Sequence, residues 1–153
     1  MKRIETQVDL PAVPSVVWDH LADVASMGSW NPFITSLAGV LAVGERLRVR
    51  IAPVGGRPMT FTPRVTVVEP GQRLEWLGTM GIPGLFDGRH SFTLTPVGNS
   101  GTRLVQAEEF SGALVPFAGK LLGKTEAGFR AMNAALLARL EKDQSETKTV
   151  EAL

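Results

Sequence analysis

The sequence predicts an α+β domain: a curved antiparallel sheet of seven strands wrapped around one long C-terminal helix, with an internal cavity between them. Three observations lead there. Val115 to about Lys142 carries Ala118, Leu121, Leu122, Thr125, Phe129, Met132, Leu136 and Leu140 at steps of three and four, which puts them on one helix face. Such a helix is about 40 Å long at 1.5 Å per residue and needs a wide apolar partner. Ahead of it lie six stretches of mostly alternating polarity joined by short turns, the pattern of an antiparallel meander. One strand and two short helices come first. A sheet must bury one face, and a single long amphipathic helix is a natural cover for it.

In chain order, Arg3 to Leu10 alternates, with Ile4, Thr6, Val8 and Leu10 on one side. Pro11 and Pro14 end the strand, and Pro14 suits the first position of a helix because its missing N–H would be unpaired there anyway. That helix runs to about Asp23 and buries Val17, Trp18 and Leu21. A turn over Ala25 to Trp30 is halted by Asn31-Pro32. The six strands are Thr35–Ala42, Glu45–Ala52, Met59–Val68, Arg73–Met80, Phe86–Pro96 and Thr102–Phe110. Pro53–Pro58, with Gly55-Gly56, is a hairpin loop. Glu69-Pro70-Gly71-Gln72 has proline and glycine where a type II turn wants them. The loop Gly81–Gly84 is a candidate flap over the cavity. Residues 1–142 form one domain, and 143–153, without apolar periodicity, read as a flexible tail.

Composition narrows the function. The 153 residues are 44% hydrophobic and 20% charged, with a net charge of +1. That suits a single soluble domain and gives no push toward nucleic acid or membranes. With no cysteine there are no disulfides, thiolate metal sites or cysteine nucleophile. Two histidines far apart make no metal site, and no cofactor is expected. The N-terminus lacks the apolar core of a signal peptide, and no run is long enough to span a bilayer, so the cytoplasm is the default location. Arg46, Arg48 and Arg50 form a basic row whose alternate face is Leu47, Val49 and Ile51, the pattern of a solvated outer face rather than a nucleic-acid surface.

A resemblance adds to this. Ala12-Val13-Pro14-Ser15-Val16-Val17-Trp18, Leu21, Asp23 and Trp30-Asn31-Pro32-Phe33-Ile34 resemble the START/Bet v 1-like helix-grip superfamily (SRPBCC), in its polyketide cyclase/dehydrase and lipid transport branch. Val43-Gly44, Glu69-Pro70, Leu74-Glu75-Trp76, Gly101-Thr102-Arg103-Leu104 and Glu109-Phe110-Ser111-Gly112 extend the match over about residues 2–142. The resemblance implies the helix-grip fold and a cavity for a hydrophobic, often aromatic, ligand. It does not choose between carriers, cyclases and co-chaperones.

The residues with chemical potential are polar groups in the inward phase of strands. His90 shares a face with Phe92 and Leu94; Gln106 and Glu108 share theirs with Leu104 and Phe110. If Pro96 pairs with Thr102, His90 falls opposite Glu108 and Phe92 opposite Gln106, close enough for His90 and Glu108 to act as an acid–base pair or to orient a ligand. Trp30, Phe33, Phe61, Trp76, Met80, Phe92, Phe110 and Phe117 are candidate cavity walls, with Leu121, Leu122, Thr125 and Phe129 on the helix. Gly119, Gly123, Thr125 and Gly128 make its first half the half that borders the cavity, and Met132, Leu136 and Leu140 make its second half core. The leading expectation is binding of a small hydrophobic molecule, lipid-like, aromatic or polyketide-like. The alternatives are a cofactor-independent cyclase/dehydratase using His90 and Glu108, and a protein-interaction module. A protein partner or homodimer is left open.

Overall fold

The computed structural model describes residues 1–153. The elements are β1 (Lys2–Leu10), α1 (Pro14–Ala22), α2 (Met27–Trp30), β2 (Ile34–Ala38), β3 (Arg48–Ile51), β4 (Met59–Phe61), β5 (Arg64–Glu69), β6 (Arg73–Thr79), β7 (Asp87–Val97), β8 (Gly101–Ser111) and α3 (Gly119–Glu151). Five strands pair in the order β1-β8-β7-β6-β5 and three in the order β2-β3-β4, all antiparallel. The two sheets are stitched by Gly44 N–H to Val65 O (2.9 Å), Val65 N–H to Glu45 O (2.8 Å) and Leu47 N–H to Pro63 O (2.9 Å). The result is one curved surface whose concave side holds α3.

The strand count is eight, where seven were expected, because Met59–Val68 divides at Thr62-Pro63 into β4 and β5. Proline has no N–H to continue a ladder, and its carbonyl serves instead as the acceptor for Leu47. A bulge between Val65 and Val67 then reverses the phase of β5. Val68, rather than Val67, packs against the core opposite Leu74. Strand β2 stops at Ala38, short of the expected Ala42, because Gly39 takes a positive φ of 118°. The turn at Glu69–Gln72 forms as expected: Gly71 has φ 73° and Gln72 N–H reaches Glu69 O at 2.9 Å.

Most inward and outward assignments hold. Leu47, Val49 and Ile51 are buried while Arg46, Arg48 and Arg50 are exposed. The main core joins these to Leu74, Trp76, Phe92, Leu94, Leu104, Phe129, Met132, Leu136 and Leu140. The outer face of the sheet is charged. There the Arg3 guanidinium bridges Glu5 (2.6 Å) and Glu109 (2.7 Å), and Glu75 receives Arg73 (2.6 Å), Arg89 (2.7 Å) and the Thr66 hydroxyl (2.9 Å).

The long helix departs from expectation at both ends. Val115–Phe117 forms a separate 3-10 turn, and α3 begins at Gly119. It continues past Lys142 to Glu151, giving a 33-residue helix about 50 Å long. All of 143–153 is exposed, so no apolar periodicity was needed to hold it. Helix-spaced pairing does part of that work, as in Lys142–Glu146. The Gln144 amide also donates to Pro11 O, and Asp143 lies 3.6 Å from His20. No helix is long and apolar enough to cross a membrane.

Candidate functional site

The site is an aromatic cavity of about 100 Å³ between the concave sheet and the first half of α3. Each wall has a local cause. Asn31, just after α2, accepts N–H bonds from Phe33 and Ile34, both at 2.9 Å, and this tight turn aims Phe33 and Ile34 inward. Phe33 can lie against α3 because Gly128 has no side chain; a methyl there would collide with its ring. Phe33 meets Phe129 edge-on at 5.4 Å. Strands β3 and β4 contribute Val49, Ile51, Met59, Thr60 and Phe61. Strand β6 contributes Trp76, Gly78 and Thr79, and the segment after it Met80 and Phe86. Strands β7 and β8 add Gly88, His90, Glu108 and Phe110, and α3 adds Leu121 and Thr125.

The register of β7 and β8 is the one expected: Pro96 opposes Thr102, Phe92 opposes Gln106 and His90 opposes Glu108. His90 is 4% exposed and boxed by Trp76 (stacked at 5.1 Å), Phe92 (4.7 Å) and Phe129 (4.9 Å, edge-on). Its Nε2 lies 3.2 Å from the Gln106 amide nitrogen, which also contacts Met132 Sδ at 3.5 Å. With that amide donating, Nε2 accepts and the ring proton sits on Nδ1. Nδ1 is 3.5 Å from Glu108 Oε2. The arrangement can relay a proton between imidazole and carboxylate, or hold both to orient a ligand.

A pair of facing glycines shapes the floor. Gly78 and Gly88 are cross-strand partners on β6 and β7, and Gly88 also opposes Phe110 on β8. Where neighbouring positions carry Trp76 and His90, this level carries only backbone, and the Phe61 ring lies close over Gly78. The Glu108 carboxylate lies across Gly88, where a methyl would collide with Oε1.

Of the expected site residues, Phe33, Phe61, Trp76, Met80, His90, Glu108, Phe110, Leu121 and Thr125 line the cavity. The others lie elsewhere. Phe92 and Phe129 are buried behind His90 as core. Gln106 is buried beside it and touches the cavity only through the imidazole. Leu122 packs with Phe86, Phe110 and Val115 in a separate small cluster. Trp30 is half-buried against the main core, and Phe117 is 85% exposed on the 3-10 turn. Gly119 and Gly123 have nothing near them to pack against, so they do not open the cavity as expected; Gly128 serves the close approach of Phe33. The second half of α3 is core, with Met132, Leu136 and Leu140 fully buried.

Several lining residues were missed although the signal existed. Gly78 shares the phase of Trp76 and Met80, while Phe86 and Gly88 share that of His90, so extending the period of two finds all three. Val49 and Ile51 were already in an inward phase. Thr60 and Thr79 are exposed rim residues with no sequence signal.

The comparisons with known proteins agree with this geometry. Residues 1–144 match the family described as polyketide cyclase / dehydrase and lipid transport. Among solved structures, the Zhui aromatase/cyclase from Streptomyces sp. R1128 aligns with a TM-score of 0.75 at 19% identity, over 92% of this chain and 94% of that one. A START superfamily protein from Mycobacterium smegmatis aligns with a TM-score of 0.69 at 21% identity, over 92% and 97%. These identities speak for the fold alone. No curated protein matches the sequence. An eight-stranded curved sheet around a long helix, and a family match over nearly the whole chain, give one conclusion: the chain belongs to the polyketide cyclase/dehydrase and lipid transport family.

Proposed function

We propose that the protein binds a small, largely apolar molecule carrying an aromatic ring in the cavity between the sheet and α3. The observation that carries this reading is the floor made by Gly78 and Gly88, ringed by Phe61, Trp76, Phe86 and Phe110. Strand glycines normally weaken a sheet, and two in register mark a place where something else approaches the backbone. Aromatic side chains around such a floor supply large contact area at low entropic cost. At about 100 Å³ the cavity is smaller than the roughly 300–1,000 Å³ of typical ligand sites, so a ligand enters as the rim residues Thr60, Thr79 and Met80 move apart.

Native mass spectrometry of the purified protein, with organic extraction, tests this. A co-purifying apolar molecule, or a thermal upshift with a member of a polyphenol and lipid panel, is the expected result. An empty protein that no member of the panel stabilises would remove the proposal.

A second reading is favoured by one distance, the 3.5 Å between His90 Nδ1 and Glu108 Oε2 at the cavity wall. In it the pair moves a proton on a bound carbonyl compound, as a cyclase or dehydratase requires. Glu108 takes a proton from the carbon next to one carbonyl, that carbon bonds to a second carbonyl carbon as its C=O π pair moves onto oxygen, and the same proton is returned to that oxygen. Turnover abolished by Glu108→Gln while binding persists would favour the enzyme; turnover untouched by it would dismiss this role.

A further inference from the structure

Glu108 is the only acidic side chain on the cavity wall, and no lysine or arginine lines it. Its side chain is 16% exposed. The one protein group near its carboxylate is the His90 imidazole, whose Nδ1 lies 3.5 Å from Oε2, a long contact. The carboxylate keeps its position because Gly88 leaves room for it. The rest of the cavity wall is largely apolar and includes the rings of Phe61, Trp76 and Phe110.

We infer that Glu108, seated across Gly88, sets the ligand specificity of this cavity: it admits ligands that present a hydrogen-bond donor and rejects ligands that present a carboxylate. The inference rests on the binding role proposed above. Three general facts carry it. A carboxylate in apolar surroundings is costly unless hydrogen bonds compensate it, so a ligand hydroxyl that donates to Oε1 is rewarded strongly. A ring of the same size without a donor covers the carboxylate and returns nothing. A ligand carboxylate sets two like charges against each other at low dielectric with no lysine or arginine on the wall to offset them. Free fatty acids are thereby disfavoured, although the cavity is apolar enough to hold an acyl chain.

The test uses three probes with the same ring system: 2-naphthol, naphthalene and 2-naphthoate. Affinities are measured near neutral pH by quenching of tryptophan fluorescence, for the whole protein and for Glu108→Gln and Gly88→Ala. In the unaltered protein 2-naphthol should bind about ten-fold more tightly than naphthalene, the order expected for one hydrogen bond to a charged acceptor, and 2-naphthoate least tightly. Glu108→Gln, nearly identical in shape, should shrink the naphthol preference and raise naphthoate binding. Gly88→Ala keeps the charge but displaces the carboxylate, and should also shrink the naphthol preference.

Equal affinity for all three probes, or an unchanged ranking in Glu108→Gln, overturns the specificity role while leaving the binding role in place. An unchanged ranking in Gly88→Ala overturns the seat. If none of the probes binds, the binding role falls with the inference. Circular dichroism on both variants separates a lost preference from a lost fold.

Discussion

On the outer face of the central strands, Glu75 is buried with its carboxylate held by Arg73, Arg89 and Thr66; on the inner face, Glu108 has only the long 3.5 Å contact with His90 Nδ1. The two glutamates sit in one sheet, on β6 and β8, either side of β7. Burial would raise the Glu75 carboxyl, but hydrogen bonds from Arg73, Arg89 and Thr66, with the charge of Arg73, outweigh it and hold the group below its ordinary value of 4.5. A carboxylate so fully matched belongs to the architecture. One left facing an aromatic cavity, over a glycine that makes room for it, is the group the proposed ligand would meet.

The largest effect that sharpens this contrast lies between the two groups. Trp76 follows Glu75 in sequence but points inward, stacked on His90 and against Phe92. Trp76→Ala is expected to cost about 3–5 kcal/mol, because it deletes a buried side chain and a cavity wall together. Thermal denaturation should show a midpoint lower by about 6–20 °C. A loss of only a degree or two would mean that Trp76 is not part of the core.

Next comes Glu75→Gln, expected to cost about 1–3 kcal/mol by removing hydrogen bonds to a charged acceptor. Its pH signature is specific. A carboxyl lowered in the folded state contributes stability that is fully present above its unfolded value and is lost as pH falls through the folded value. Urea titrations from pH 7 down to pH 3 should therefore show the parent protein losing more stability on acidification than Glu75→Gln. Parallel profiles would break the assignment of Glu75 to the architecture.

Glu108→Gln should change stability by less than about 1 kcal/mol, since only the long 3.5 Å contact with His90 is weakened. If it destabilises as much as Glu75→Gln, the contrast between the two faces is wrong. The smallest effect belongs to Phe117→Ser. With its ring 85% exposed, the change is expected to stay within about 0.5 kcal/mol in the same denaturation assay.

How much of this could be read from the chain follows from what periodicity encodes. The alternation in β3, β7 and β8 places side chains on a face, so Val49, His90, Gln106 and Glu108 were assigned inward correctly, and one turn length set the register of β7 against β8. Phase does not encode depth. Phe92 and Phe110 share a face with lining and buried positions alike, yet Phe92 is behind His90 and Phe110 is on the wall. Depth depends on how the sheet bends and packs; the bulge after Val65 leaves no mark in the pattern, whereas the break at Pro63 was legible as a proline inside a strand. The glycines show the same limit. Gly119 and Gly123 looked like volume and face nothing, whereas Gly78 and Gly88, passed over in reading the alternation, form the floor. The helix end was misjudged for another reason: residues 143–151 bury nothing, and exposed helix leaves no apolar signature.

The most direct test of the ligand cavity fills its floor. In Gly78→Val the new side chain meets the Phe61 ring, 3.3 Å from where its Cβ would stand, and displaces that part of the cavity wall. Valine favours a strand, so the fold should persist. Titration of 2-naphthol against the parent protein and Gly78→Val should show saturable one-site binding in the first and affinity at least about ten-fold weaker, roughly 1.4 kcal/mol, in the second. Equal affinity in the two proteins, with both folded, would contradict the account.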